Sequence, residues 1–135
     1  MKKLFLLLTG LLVISILQSC YKDIGPVEPE GEVPDNGISF GRDIQPIFDQ
    51  NCINCHPSSG NLDLRAGNAY NNLVNVDASG YSGKLVVPND PDNSILYKKI
   101  DGSNAYGSNM PLGGSLSATQ INMIKQWITE GAQNN

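Results

Sequence analysis

Histidine is almost absent from this chain. There is one, His56, in 135 residues, beside three cysteines (Cys20, Cys52 and Cys55), three methionines and one tryptophan. A structural zinc site takes four Cys or His ligands, and the only set on offer would have to recruit Cys20 from far along the chain. Zinc is therefore excluded as the organising element. Three cysteines make no disulfide framework, and a thioredoxin-like Cys-x-x-Cys wants a βαβ frame that the flanks of Cys52 and Cys55 do not supply. Charged residues are few, 16% of the chain, and the balance is acidic at −4, which removes the basic surface a nucleic-acid binder needs. No apolar run reaches the roughly 20 residues of a membrane-spanning helix. There is no internal repeat, and the glycines from Gly102 to Gly107 lack the Lys-Ser/Thr pair that completes a phosphate-cradling loop.

Against that thin inventory stands one dense motif, Cys52-Ile53-Asn54-Cys55-His56. A C-x-x-C-H run is an attachment site for c-type haem. Two thiols at this short, fixed spacing add across the two vinyl groups of the porphyrin, and the histidine that follows is carried beneath the iron as its proximal ligand. Because His56 has no counterpart, ligation by two histidines of one chain is not available. The sixth ligand is a methionine, a lysine, an exogenous molecule or nothing. Met1 belongs to an export segment, which leaves Met110 and Met123. Met123 lies in 118–128, an amphipathic helix, where a methionine reads as packing. Met110 lies in the polar, Gly-rich loop Gly107-Ser108-Asn109-Met110-Pro111-Leu112-Gly113-Gly114, where a thioether has little core to join. Pro111 restricts the residue before it to extended backbone, which helps present the Met110 side chain at a defined angle. Met110 is accordingly assigned as the distal iron ligand. A single C-x-x-C-H means one haem c per chain.

The N-terminus reads as targeting and not as structure. Lys2 and Lys3 precede the apolar stretch Leu4 to Leu17, which ends in Leu17-Gln18-Ser19-Cys20. This ending resembles a bacterial lipoprotein box, so residues 1–19 are expected to be a signal peptide and Cys20 a lipidated first residue. Stable anchoring takes more than one acyl chain, which lipidation at such a cysteine provides. Export agrees with the haem motif, since covalent haem attachment in bacteria takes place outside the inner membrane. The expected location is the bacterial cell envelope, extracytoplasmic and lipid-anchored. Residues 20–36 are rich in Pro, Glu and Gly, too poor in apolar groups to fold, and read as a tether. At about 3.1 Å per extended residue it would reach roughly 50 Å from the lipid.

Residues 37–135 make one domain. A first helix over 39–50 places Phe40, Ile44, Ile47 and Phe48 on one face and leads directly into the haem motif. Pro46 belongs in its first turn or at a kink. Short helices follow at 66–73 and at 94–100, the second introduced by Pro91-Asp92-Asn93-Ser94. Val86 and Val87 form a short extended piece. The last helix, 118–128, opens with a capping box at Ser117 and Gln120, with Leu116 and Ile121 as its hydrophobic staple. It buries Ile121, Ile124, Trp127 and Ile128 and stops at Gly131. Residues 101–115 are a long loop that reads as a Met-bearing lid. Lys98 and Lys99 read as solvated charges or a local docking contact.

Phe40-Gly41-Arg42-Asp43-Ile44-Gln45-Pro46-Ile47-Phe48, the haem motif, Val87-Pro88-Asn89-Asp90-Pro91-Asp92-Asn93-Ser94-Ile95-Leu96-Tyr97, Asn109-Met110-Pro111 and Gln126-Trp127-Ile128-x-x-Gly131-Ala132 together resemble the monohaem class I cytochrome c domains of bacterial lipoproteins, of the planctomycete-type cytochrome c group. The resemblance covers nearly all of residues 37–133. It implies an all-α, small cytochrome c fold, about four short helices and long loops around one covalent haem, with first and last helices crossed beside it. It also implies thioethers at Cys52 and Cys55, His56 as proximal and Met110 as distal ligand, and no enzyme activity. The function expected is single-electron transfer by a membrane-anchored carrier. Without Lys2 and Lys3, 7 basic residues face 13 acidic ones, a charge of about −6 that steers the carrier toward basic surfaces of an extracytoplasmic redox protein. Two other functions stay open from sequence. One is a ligand sensor or peroxide-reactive domain with an open sixth position. The other is a fixed subunit of a larger envelope assembly.

Overall fold

The computed structural model describes residues 37–135. The expected signal peptide 1–19, Cys20 and the tether 20–36 lie outside them. The described residues contain a π-helical turn Phe40–Ile44 running into helix α1, Gln45–Asn51. A 3-10 turn, Ser59–Asn61, and helices α2 (Ala69–Leu73), α3 (Ile95–Ile100) and α4 (Ala118–Thr129) follow. Extended pairing among them amounts to isolated bridges, Val74 with Val86, Asp77 with Lys84 and Lys84 with Ser94. No helix among the described residues is long and apolar enough to cross a membrane.

The helix expected at 39–50 is present but begins in a wider winding, and Pro46 supplies a reason. Pro has no N–H to return to the carbonyl four residues back. Ahead of it the ladder steps to i→i−5 bonds: Ile44 N–H reaches Ser39 O at 3.3 Å, and Gln45 N–H bonds Phe40 O. Regular α geometry then starts at Gln45 with Pro46 in its first turn. Ser39 caps the start by accepting from Arg42 N–H (3.2 Å), and its own N–H donates to Asp43 Oδ2 (2.8 Å). The wider turn keeps Phe40, Ile44, Ile47 and Phe48 buried together.

α4 starts and ends on side-chain and backbone signals that agree. Ser117 Oγ accepts from Gln120 N–H (3.2 Å) while Gln120 Oε1 accepts from Ser117 N–H (3.0 Å), a reciprocal box. At the other end Gly131 takes φ +96°, Gly131 N–H bonds Ile128 O and Ala132 N–H bonds Trp127 O, the two bonds of a Schellman stop. Ile124, Trp127 and Ile128 are buried, with Ile121 half-buried at the edge.

The two end helices meet through aromatic rings. Phe40 lies 5.2 Å from Trp127 and 5.3 Å from Tyr70 between centroids, and Trp127 is fully buried with its indole N–H on Gln133 O (2.9 Å). Tyr70 of α2 closes the cluster by donating its hydroxyl to Ala132 O at 3.0 Å. Chain ends reinforce the contact, since Glu130 Oε2 accepts from Ile38 N–H and Asn135 Oδ1 from Phe40 N–H, both at 2.9 Å. The helix expected at 66–73 is confined to α2. Ser94 precedes α3 as expected, but its hydroxyl does not cap the helix. It is buried, donating to Asp90 O (2.7 Å) and accepting from Val87 N–H (2.8 Å), so it pins the turn before α3.

Candidate haem site

The motif Cys52 to His56 continues the winding of α1. Cys52 and Ile53 N–H groups both return to Phe48 O, at 2.8 and 3.1 Å. Cys55 and His56 N–H groups then return to Cys52 O, at 3.1 and 2.9 Å. The three chemically distinctive side chains thus come from a single compact turn fastened to the buried Phe40–Phe48 face. The backbone after the turn is tied back as well: Leu64 N–H donates to His56 O at 2.8 Å, and the buried Gln45 of α1 donates Nε2–H to Leu64 O at 3.0 Å.

The imidazole of His56 is oriented by the chain itself. Its Nδ1 lies 2.9 Å from Ser59 O, and a carbonyl oxygen only accepts, so Nδ1 carries the proton. In the neutral ring this leaves the lone pair on Nε2. A ring nitrogen held by a backbone carbonyl while the other stays free is the usual arrangement of a metal-ligating histidine. Cys52 is half-buried and Cys55 exposed, and both thiols are free. Burial pushes the Cys52 thiol up to about 11, so it is an uncharged group in an apolar setting. A neutral thioether suits that place, as a thiolate would not. On this test the turn fits covalent haem. Among the described residues no three His, Cys, Asp or Glu side chains gather as a metal-binding group.

Met110 comes from elsewhere, the irregular segment between α3 and α4. Its N–H donates to Lys99 O at 2.7 Å, and its side chain, half-buried, packs against the same apolar cluster as Cys52 and Ile53. The Met110–Pro111 peptide is cis. Met123 is half-buried on α4 and belongs to that cluster too. Other half-buried apolar side chains around the core include Leu62, Leu85, Leu96 and Tyr97.

Sequence reasoning passed over one residue that acts on these positions, Ser59, and misread another, Lys99. Ser59 orients His56 through its carbonyl, and no side-chain pattern announces a backbone acceptor. Lys99 does not fit the expectation of a solvated charge: its ammonium is bonded to Tyr106 O (2.8 Å), Ser108 O (3.1 Å) and Tyr81 Oη (3.2 Å). Lys98 is also engaged, with Asp92 at 3.0 Å and Asp101 at 3.3 Å.

The family model described as Planctomycete cytochrome C matches residues 52–111, from the first cysteine of the haem motif to Pro111. No curated protein and no solved structure matches the chain. Cytochrome c domains bind haem c and generally act in electron transfer. With the C-x-x-C-H turn opening it, the matched segment supports a cytochrome c domain of the planctomycete type.

Proposed function

We propose that this chain is a membrane-anchored carrier of single electrons, with one haem bonded to Cys52 and Cys55 and ligated by His56 and Met110. A covalently held haem with two axial protein ligands supplies an outer-sphere Fe(II)/Fe(III) couple. The observation that carries the reading is the commitment of His56 Nδ1 to Ser59 O, which leaves Nε2 as the free donor on a turn fixed to the core. Met110 offers a soft thioether, which favours the ferrous state and raises the potential relative to a second imidazole. Cys52 and Cys55 keep the group in place through both oxidation states. The acidic surface steers the domain toward a basic face on an extracytoplasmic partner, and lipidated Cys20 with the 20–36 tether holds it within reach of a membrane.

The test is the visible spectrum of the exported, haem-loaded protein, oxidised and reduced, with and without carbon monoxide. A low-spin spectrum with the ferric methionine–iron charge-transfer band, indifferent to carbon monoxide, is expected. A high-spin or carbon-monoxide-sensitive spectrum would replace the carrier with a ligand-sensing or peroxide-reactive domain.

A further inference from the structure

The segment between α3 and Met110 stands outside the hydrophobic cluster: residues 101–109 place no side chain in it, and Tyr106 packs instead on the ring of the exposed Tyr81. Two of its glycines take left-handed backbone, Gly102 at φ +82° and Gly107 at φ +83°, so the chain there is intrinsically permissive. Asp101 and Ser103 at its start bond Lys98, and the polar contacts nearest Met110 converge on Lys99 of α3. Lys99 Nζ donates to Tyr106 O at 2.8 Å and Ser108 O at 3.1 Å, the carbonyls four and two residues before Met110. The same ammonium reaches Tyr81 Oη at 3.2 Å and lies 5.1 Å from the centre of that ring, while Tyr81 stands edge-on to Tyr106 at 5.4 Å. The main chain of Lys99 completes the hold, because its carbonyl accepts Met110 N–H at 2.7 Å. An ammonium has three protons, and three oxygens here use them. Lys99 is therefore not a free cation waiting for a partner.

We propose that Lys99 is a positioning residue: its side chain clamps the 101–110 loop against Tyr81, and the clamp keeps the Met110 thioether presented. The inference rests on Met110 as the iron's sixth ligand, and it adds a control on how long that ligand stays in place. Without the ammonium, the carbonyls of Tyr106 and Ser108 lose their donor to the body. Next to Met110 only its N–H to Lys99 O bond and the Tyr81–Tyr106 ring contact then hold the loop, and the thioether leaves more often.

The experiment compares the haem-loaded wild type with Lys99→Met, which keeps the apolar stem, Lys99→Arg, which restores donors, and Lys98→Met, which removes the neighbouring charge. Two readouts are taken: amide hydrogen exchange at Gly107 and Met110, and carbon monoxide association with the ferrous protein. Lys99→Met is expected to speed exchange at both amides and carbon monoxide association by about tenfold, the scale of one lost charge-assisted contact. Lys99→Arg should restore most of the wild-type behaviour, and Lys98→Met should leave both readouts unchanged. Wild-type exchange in Lys99→Met, or an equal acceleration in Lys98→Met, would overturn the clamp. A wild-type protein without the methionine–iron band would instead overturn the ligation reading, because the exchange measurement does not depend on the sixth ligand. Should Lys99→Met fail to load haem, Tyr81→Phe deletes one of the three acceptors, and unchanged loop exchange there overturns the clamp equally.

Discussion

Replacing Met110 by alanine separates ligation from packing, provided it is set beside the same change at Met123. Both methionines are half-buried, and both pack against the same apolar cluster. Truncating a fully buried methionine costs about 2–5 kcal/mol, so a half-buried one costs roughly 1–2 kcal/mol. The packing loss is therefore alike in the two variants and cancels in the comparison. The main chain at 110 has its own support, because the N–H to Lys99 O bond at 2.7 Å does not involve the side chain. On the proposed ligation, what differs between the variants is the thioether at the iron. Met110→Ala should abolish the ferric charge-transfer band and open the ferrous iron to carbon monoxide. It should also lower the midpoint potential by at least about 60 mV, which is one tenfold step in ferrous over ferric preference for a one-electron couple.

Met123→Ala should lose similar stability in a denaturant titration and show none of these spectroscopic changes. Absorbance spectra, carbon monoxide mixing and a redox titration on the two loaded variants make the comparison. Equal spectroscopic effects would refute the assignment of Met110, and an open iron in Met123→Ala alone would transfer the role to α4.

Three further outcomes are expected. The double variant Cys52→Ala, Cys55→Ala should release its haem into acidified organic solvent where the wild type retains it, and retention would sink the attachment assignment. Trp127→Ala should destabilise the loaded domain by about 3–5 kcal/mol in a denaturant titration, because a fully buried ring in contact with Phe40 leaves a cavity, whereas Trp127→Phe should cost markedly less. The Asp43 carboxyl is held below the usual carboxylate range by its bond to Arg42, with Ser39 N–H adding to the effect. Its contribution is thus present above the ordinary carboxylate pKa of about 3.9 and is lost as pH falls through the lower folded value. Asp43→Asn should flatten the loss of stability on acidification, measured as unfolding midpoints across that range, and an unchanged slope would remove Asp43 from the cause.

Legibility from sequence followed the range of the interactions involved. The ends of α4 were readable because capping box and Schellman stop are set by residues within a few positions of each other, Ser117 with Gln120, Gly131 with Ile128 and Ala132 with Trp127. The buried face Phe40, Ile44, Ile47, Phe48 was readable from its period, though not the wider turn that delivers it. Pro46 announces a missing N–H, and only the fold decides whether the chain answers with a kink, a late start or a shifted ladder. Ser94 shows the opposite failure. Its position before α3 suggests a cap, yet its hydroxyl serves Asp90 and Val87 because burial there leaves those groups without water. The haem motif needed no fold to be noticed, whereas the support of the Met110 loop was invisible. It requires Tyr81, 18 residues from Lys99, to arrive beside it.

The two proposed axial ligands are thereby secured by different means. His56 is held almost wholly by main chain: its N–H on Cys52 O, its carbonyl under Leu64 N–H and its ring nitrogen on Ser59 O. Such support survives most side-chain substitutions so long as the spacing from Cys52 to Leu64 is kept. The support of Met110 adds to one main-chain bond, its N–H on Lys99 O, the Lys99 side chain and two tyrosines at a partly exposed surface. Contacts near water are weaker and more easily exchanged than bonds inside a helical turn. On the proposed ligation, a site built this way would have one permanent ligand and one whose hold is set by a few surface residues. Changes at Lys99, Tyr81 or Tyr106 would then adjust a distal ligand at Met110 without touching the Cys52–His56 turn. The carrier and the open-site alternative would then be two settings of one scaffold, separated by the strength of that loop's attachment.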